Sequence, residues 1–149
     1  MEQFNKAYIS PNLMAFNRIY QTFDNIYHNI ALKLGLSDSG FGILYTICET
    51  GDGCLQKDLC TMLSASKQTI NSSIRKLEKD DFLTLSSGKG RHMHIYLTPK
   101  GRKFCKEKIF PLIAMENKSF SCMKEDECNL MLKLFDDYCQ ALKDSVSKL

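Results

Sequence analysis

The sequence predicts a mainly α-helical fold with one small β-hairpin. Apolar residues recur at steps of three and four through most of the chain, which is typical of amphipathic helices. Residues 82–97 instead alternate apolar and polar side chains on both sides of a glycine-bearing loop, as a hairpin does. A chain of 149 residues has room for one domain with a sound core, so we expect residues 1–149 to form a single domain.

Two helices are predicted in the first third of the chain. The first covers residues 12–34 and ends where Gly35 can adopt the left-handed conformation that terminates many helices. The second begins at a cap provided by Ser37 or Ser39 and continues to about residue 49. The apolar stripe of the first helix consists of Leu13, Phe16, Tyr20, Phe23, Tyr27, Ile30 and Leu34.

Two short helices with a tight turn between them are predicted next. They cover about residues 55–63 and 67–79, and Ser66 is the predicted cap of the second. The outward face of this fourth helix is polar and carries no acidic residue before Glu78. The expected buried positions are Leu55, Leu59, Met62 and Leu63 in the third helix and Ile70, Ile74 and Leu77 in the fourth.

A basic hairpin and two further helices complete the chain. Strands are predicted at 82–85 and 92–97, and Thr98 and Pro99 then begin a fifth helix, in which Pro111 should cause a kink. A sixth helix is expected over about 124–147. The buried side of the second strand is predicted to consist of Met93, Ile95 and Leu97.

Positive charge is concentrated in the centre of the chain. Residues 56–103 contain ten Lys and Arg against four Asp and Glu, a net charge of +6, although the whole chain carries only +3. A locally basic segment of this kind indicates nucleic-acid binding, and a solvated face of mixed charge is the alternative interpretation.

The order of elements is that of a winged helix-turn-helix with a reading head at residues 35–100, and it points to double-stranded DNA as the partner. A helix fits the major groove, where amide and guanidinium side chains can read base edges. A basic, glycine-bearing loop can place an arginine in the adjacent minor groove. The predicted DNA contacts are Ser66, Lys67, Gln68, Thr69, Asn71, Ser72, Arg75, Lys76, Lys89 and Arg91.

Other function classes find little support in the sequence. No apolar run approaches the roughly 18 residues that span a bilayer, and the N-terminus lacks a secretory pattern, so we expect a cytoplasmic protein without a membrane partner. No catalytic set or phosphate-binding loop is recognisable, so we expect neither an enzyme nor a cofactor. His92 and His94 share one side of a strand but are too few to hold a metal ion.

The segment QKDLCTMLSASKQTINSSIRKLEKDDFL, followed by GKGRHMHIYLTPKG, resembles the winged helix of MarR-type transcriptional regulators. The resemblance covers nearly the whole chain, and its most specific pieces are SKQTINSSIRKLE and LTPKG. It implies a homodimer built from residues 1–34 and 101–149 that binds an inverted repeat. Lys89 replaces an aspartate that is usual in the family's wing, and Leu55 replaces the usual Thr or Ser cap.

The same resemblance implies a regulator, which we expect to be a repressor, released from DNA by a small aromatic or amphipathic effector such as an aromatic acid. The expected effector pocket is formed by Phe16, Tyr20, Phe23, Tyr27, Phe41 and Tyr45. One alternative is a thiol-based redox sensor of the same fold, with Cys54, Cys60 or Cys122 as the reactive residue. Another is a winged-helix protein-interaction module without specific DNA binding.

Overall fold

The computed structural model describes residues 5–87 and 92–149. The chain divides into two compact units, Met1–Ile109 and Phe110–Leu149. Within the described residues, no helix is both long and apolar enough to cross a membrane.

The first unit has the mainly helical architecture with a small antiparallel sheet that the sequence predicts. The first four observed helices begin and end within two residues of the predicted ones, whereas the predicted fifth helix is interrupted by a π-helical turn after Phe104. In chain order, its elements are α1 (Pro11–Lys33), α2 (Asp38–Thr50), β1 (Cys54–Leu55), α3 (Gln56–Met62), α4 (Lys67–Lys79), β2 (Leu83–Ser87), β3 (Met93–Leu97), α5 (Pro99–Phe104) and a π-helical turn (Cys105–Ile109).

Hydroxyl side chains cap the helices where the sequence places Ser or Thr before an apolar stripe. The side chains of Ser37, Ser66 and Thr98 accept hydrogen bonds from backbone N–H groups in the first turns of α2, α4 and α5, at 3.0–3.1 Å. These bonds satisfy N–H groups that have no partner within the helix. Leu55, which precedes α3, provides no such bond, so α3 is held at its start by the neighbouring strand instead.

The sheet has the strand order β1-β3-β2, with both pairings antiparallel. Leu83 pairs with Leu97 and Ser87 with Met93, which gives the hairpin its register. On the other edge of β3, Leu55 pairs with His94, so the strand that leads into α3 is bonded to the hairpin. The sequence did not predict β1, because a two-residue strand is too short to show an alternating pattern.

The core of the first unit is formed by the inner faces of α2, α3, α4 and the sheet. The stripe predicted for α4 is confirmed, since Ile70, Ile74 and Leu77 are all buried. The stripe predicted for α3 is partly wrong, because only Leu59 is buried and Met62 is 48% exposed. Helix α3 has only seven residues and packs by one face. Few of its side chains can therefore point into the core, and Met62 is not one of them.

The buried side predicted for the second strand is also partly wrong. Ile95, at the centre of β3, is fully buried and Leu97 is half-buried, but Met93 is exposed. Met93 pairs with Ser87 at the outer end of the hairpin, so it extends past the core that covers Ile95.

The second unit contains α6 (Phe110–Ser119), a 3-10 turn (Phe120–Cys122) and α7 (Glu125–Val146). Pro111, where we expected a kink, is the second residue of α6, and the π-helical turn ends just before this helix. Such a turn suits this position, because proline lacks an N–H and its ring collides with the carbonyl four residues back. No residue of α6 or α7 is buried.

Candidate nucleic-acid interface

Helix α4 presents one polar face outward because its apolar stripe fixes the opposite face in the core. Ser66 caps the helix, and its hydroxyl also bonds with that of Thr69 at 2.8 Å. Most of the predicted contact residues of this helix are brought together on the exposed face. These are Ser66, Lys67, Gln68, Thr69, Ser72, Arg75 and Lys76.

Depressions flank this polar face on both sides, so the helix forms a ridge. One depression, of about 660 Å³, is lined by Lys67, Gln68, Asn71, Ser72 and Arg75. The other, of about 490 Å³, extends to the start of α2 and is lined by Ser37, Ser39, Gln68, Thr69, Ser72, Ser73 and Lys76. A hydrogen bond of 2.6 Å between the hydroxyls of Ser39 and Ser73 joins α2 to α4 and helps to fix the orientation of α4 against α2.

Asn71 differs from its neighbours on α4. Its side chain is half-buried, and its Oδ1 atom accepts a hydrogen bond from Nε2 of Gln56, the first residue of α3. Sequence reasoning missed Gln56, because nothing in the spacing along one helix shows which side chain of another helix it will meet. The signal available was its place at the start of α3, which a helix-turn-helix brings close to the reading helix.

The cations of α4 are available to an external anion. Within the described residues, no carboxylate lies within ion-pairing distance of Lys67, Arg75 or Lys76. By contrast, Arg102 is paired with Asp52, and Lys103 lies 3.9 Å from a carboxylate in the next turn. Arg102 and Lys103 are thus engaged within the protein, whereas the three cations of α4 are not.

The remaining part of the predicted interface is the tip of the hairpin, which is known here from the sequence alone. Lys89 and Arg91, the two predicted wing contacts, lie outside the described residues. Of the two strands that lead to them, β3 is paired with β2 on one edge and with β1 on the other. Asp52 strengthens this anchorage, because its carboxylate accepts a hydrogen bond of 2.8 Å from the backbone N–H of Leu97.

Of the two histidines that the sequence places on the second strand, His94 lies in β3 and His92 just before it. The Nδ1 atom of His94 donates to the carbonyl of Gly53 at 3.0 Å, which ties β3 to the turn before β1. In the parts of the chain that the structure describes, no three potential metal ligands come together.

Half of the aromatic residues predicted to form an effector pocket line a common cavity. Tyr27, Phe41 and Tyr45 surround a cavity of about 280 Å³ between α1, α2 and α3. Phe16, Tyr20 and Phe23 do not line it. The remaining lining residues are Gly42, Thr46, Glu49, Met62 and Leu63. Glu49 is the charged residue of this lining, so the cavity suits a neutral or cationic aromatic molecule better than the aromatic acid that we expected.

Two cysteines of the first unit interact with each other. The hydrogen bond between Cys48 and Cys105 lowers the pKa of the Cys48 thiol, and it raises that of Cys105, which burial raises further. Burial also raises the pKa of Cys54, one of the three predicted redox candidates, which disfavours the reactive thiolate. Cys60 is half-buried in α3, and Cys122 is exposed.

These elements define a winged helix-turn-helix protein, in which α3 and α4 form the helix pair and β2 and β3 the wing. Residues 34–92 match the model of the MarR family. This match agrees with the resemblance of the same part of the chain to MarR-type regulators. No curated protein sequence matches it.

Solved structures of MarR proteins share the fold at low sequence identity. A MarR family regulator from Neisseria meningitidis is 17% identical, with a TM-score of 0.79 over 93% of this chain and 99% of that one. A MarR protein from Peptoclostridium difficile is 20% identical, with a TM-score of 0.71 over 97% and 95% of the two chains. A Listeria monocytogenes protein solved with a 26mer DNA is 21% identical, with a TM-score of 0.71 over 92% of each chain.

Proposed function

We propose that the protein is a sequence-specific DNA-binding transcriptional regulator that acts as a homodimer on an inverted repeat. The observation that carries this proposal is the exposed face of α4, where Lys67, Arg75 and Lys76 have no carboxylate partner in the described part of the chain and lie beside uncharged hydrogen-bonding side chains. Cations attract phosphates, and amides and hydroxyls read base edges. The DNA-bound Listeria monocytogenes structure supports the proposal by its fold.

Binding to duplex DNA over a series of salt concentrations tests this function. We expect the affinity to fall steeply with salt, because each phosphate contact releases bound counterions. Lys67→Ala and Arg75→Ala should each reduce the slope of log K against log salt by about one. Lys148→Ala, which removes one cation from the C-terminus, is the control and should leave the slope unchanged. A protein-interaction module without specific DNA binding would show no preference for any duplex sequence.

A two-fold dimer should recognise half-sites whose centres lie about 10 bp apart, because its two reading helices then meet one face of the duplex. The DNA that flanks the protein's own coding region is the first place to search for such a repeat. Footprinting on that DNA checks the spacing, and protection of a single asymmetric half-site would contradict a dimeric reader. We further propose that the regulator is a repressor and works in the cytoplasm.

The cavity between α1, α2 and α3 favours release by a small effector. Its volume of about 280 Å³ suits a small ligand, and Tyr27, Phe41 and Tyr45 supply aromatic walls. A ligand there would contact α3 through Met62 and Leu63, and α3 leads directly to the reading helix. We propose a neutral or cationic aromatic effector, and titration of the DNA complex with such compounds tests it.

Regulation by thiol oxidation is the second candidate, and one observation favours it. The lowered pKa of Cys48 increases the fraction of thiolate, which is the form that peroxides attack. This places the reactive thiol at a position other than the three that the sequence suggested. Loss of DNA binding on peroxide treatment, restored by dithiothreitol and abolished in Cys48→Ala, would support this candidate over release by an effector.

A further inference from the structure

The hydrogen bond between Gln56 and Asn71 constrains what Asn71 can offer to DNA. Gln56 Nε2 donates to Asn71 Oδ1, so one acceptor position of the Asn71 amide is already occupied by the protein. The Nδ2 atom of Asn71 carries two N–H donors, and among the described residues it has no partner. The oxygen keeps a second lone pair, but the amide is held with its oxygen toward Gln56, so the group turned toward an external ligand is the Nδ2 donor.

The position of Asn71 allows this donor to reach a ligand. Asn71 lines the open depression beside Arg75 on the outer side of α4. It also lines a groove of about 540 Å³ that it shares with Gln56, Lys57 and Lys67 on the side of α3. Asn71 thus stands where two concave surfaces meet.

Gln56 is itself held in place by the fold. It is the first residue of α3 and directly follows Leu55, which pairs with His94 of β3. Three residues further on, Leu59 is fully buried and fixes the helix against the core. Because both ends of this contact belong to packed elements, the orientation of the Asn71 amide is determined before any DNA arrives.

From this geometry we infer that Gln56 is a positioning residue that fixes Asn71 as a hydrogen-bond donor, so that Asn71 selects a base edge presenting acceptors. In the major groove guanine presents two adjacent acceptors, N7 and O6, whereas adenine presents one acceptor beside a donor and thymine one acceptor beside a methyl group. Asn71 therefore prefers guanine, in contrast to the adenine contact that asparagine makes when its whole amide is free. The inference rests on the proposed function and specifies the base that one of its residues reads.

Selection of preferred duplexes from a random pool tests this positioning role. The base position read by Asn71 is the one at which Asn71→Ala loses its preference, and the intact protein should select guanine there over the other bases by about tenfold. Gln56→Met keeps the length of the side chain but removes its amide. This variant should relax the preference at that position alone, with general DNA affinity unchanged.

Gln56→Glu is the more stringent test, because an ionised carboxylate can accept hydrogen bonds but cannot donate them. The Asn71 amide should then turn its Nδ2 toward Glu and its oxygen toward DNA, which moves the preference to a base presenting a donor, adenine or cytosine. Thr61→Glu adds the same negative charge at an exposed position of α3 that does not contact Asn71. It therefore controls for any loss of DNA affinity caused by the added negative charge. The melting temperature of each variant is measured to confirm that the head remains folded.

The outcomes separate the two proposals. If the intact protein prefers no duplex sequence, the proposed function fails and the inference fails with it. If the intact protein selects a site but Gln56→Met and Gln56→Glu select the same bases at every position, the function stands and Gln56 has no positioning role. Selection of adenine by the intact protein at the position read by Asn71 would likewise overturn the inference.

Discussion

At the scale of single residues, polar contacts between elements decide which groups of the interface are available. Asn71 and Gln68 both carry amides on α4, yet Asn71 is engaged by Gln56 and Gln68 is exposed. Arg102 and Arg75 are both basic, yet Arg102 is neutralised by Asp52. The chemistry of a side chain thus becomes a binding property only after its partners in the fold are known.

The Cys48–Cys105 pair gives a prediction at this scale. The Cys105 thiol donates a hydrogen bond to Cys48, which lowers the pKa of Cys48, so Cys48 should react with iodoacetamide at a lower pH than an ordinary thiol does. Cys105→Ala removes the bond and should raise the pKa of Cys48, shifting alkylation to higher pH. Mass spectrometry of the peptide that contains Cys48, over a pH series, measures the midpoint.

Cys54→Ala is the matched control, because Cys54 is also half-buried in the first unit but does not contribute to the pKa of Cys48. Its pH profile for Cys48 alkylation should equal that of the unsubstituted protein. An unchanged midpoint in Cys105→Ala would show that the thiol pair does not control the ionisation of Cys48.

At the scale of elements, the helix ends and the inner face of α4 were predictable, and the contacts between elements were not. Ser66 and Thr98 cap helices through bonds to residues three positions away, so short sequence patterns carry the signal. The pairing of β1 with β3 joins residues about 40 positions apart, and no local pattern indicates it. The role of Gln56 was missed for the same reason.

The junction between the hairpin and α5 gives a prediction at the element scale. A Cβ atom on Gly101 would lie 1.9 Å from the carbonyl oxygen of Phe82, and backbone cannot move aside as a flexible side chain can. Gly101→Ala should therefore lower the free energy of unfolding by about 1–3 kcal/mol through overpacking. Denaturant unfolding followed by circular dichroism measures the loss.

Lys103→Ala, in the same helix, is the control for this substitution. Lys103 is exposed and makes only a long ion pair with Glu107, so its loss should change the free energy of unfolding by about 0.5 kcal/mol or less. Equal stabilities of Gly101→Ala and Lys103→Ala would mean that the hairpin and α5 do not approach each other as closely as the structure indicates.

At the scale of the whole molecule, two helices expose many large apolar side chains in the described part of the chain. On α1, Tyr20 and Phe23 are 59% and 58% exposed. On α7, Leu130 and Leu134 are each 55% exposed, and Leu142 is 49% exposed. Many exposed large apolar side chains mark an interaction site, and α1 and α7 lie in the two segments that we expected to form a dimer interface.

Substitution on α7 tests whether this surface is the dimer interface. Leu134 and Leu142 lie on one side of the helix, at a spacing of eight residues, so the double variant Leu134→Glu/Leu142→Glu should place charges in the interface and dissociate the dimer. Analytical ultracentrifugation measures the mass. Asn129→Glu, which adds a charge on another side of α7, should leave a dimer. A double variant that remains dimeric would exclude this face of α7 from the interface.

The bonding of β3 on both edges governs where this chain can tolerate insertions and deletions. Five residue pairs with β2 and two with β1 fix the strand register, and a slip by one position would turn Ile95 out of the core. A change in length is therefore costly anywhere between Leu83 and Ser87 or between Met93 and Leu97. The register that these pairs set ends at Ser87 and Met93. Variants that keep Leu83–Ser87 and Met93–Leu97 at their present lengths should therefore keep Ile95 in the core, whatever the number of residues between the two strands.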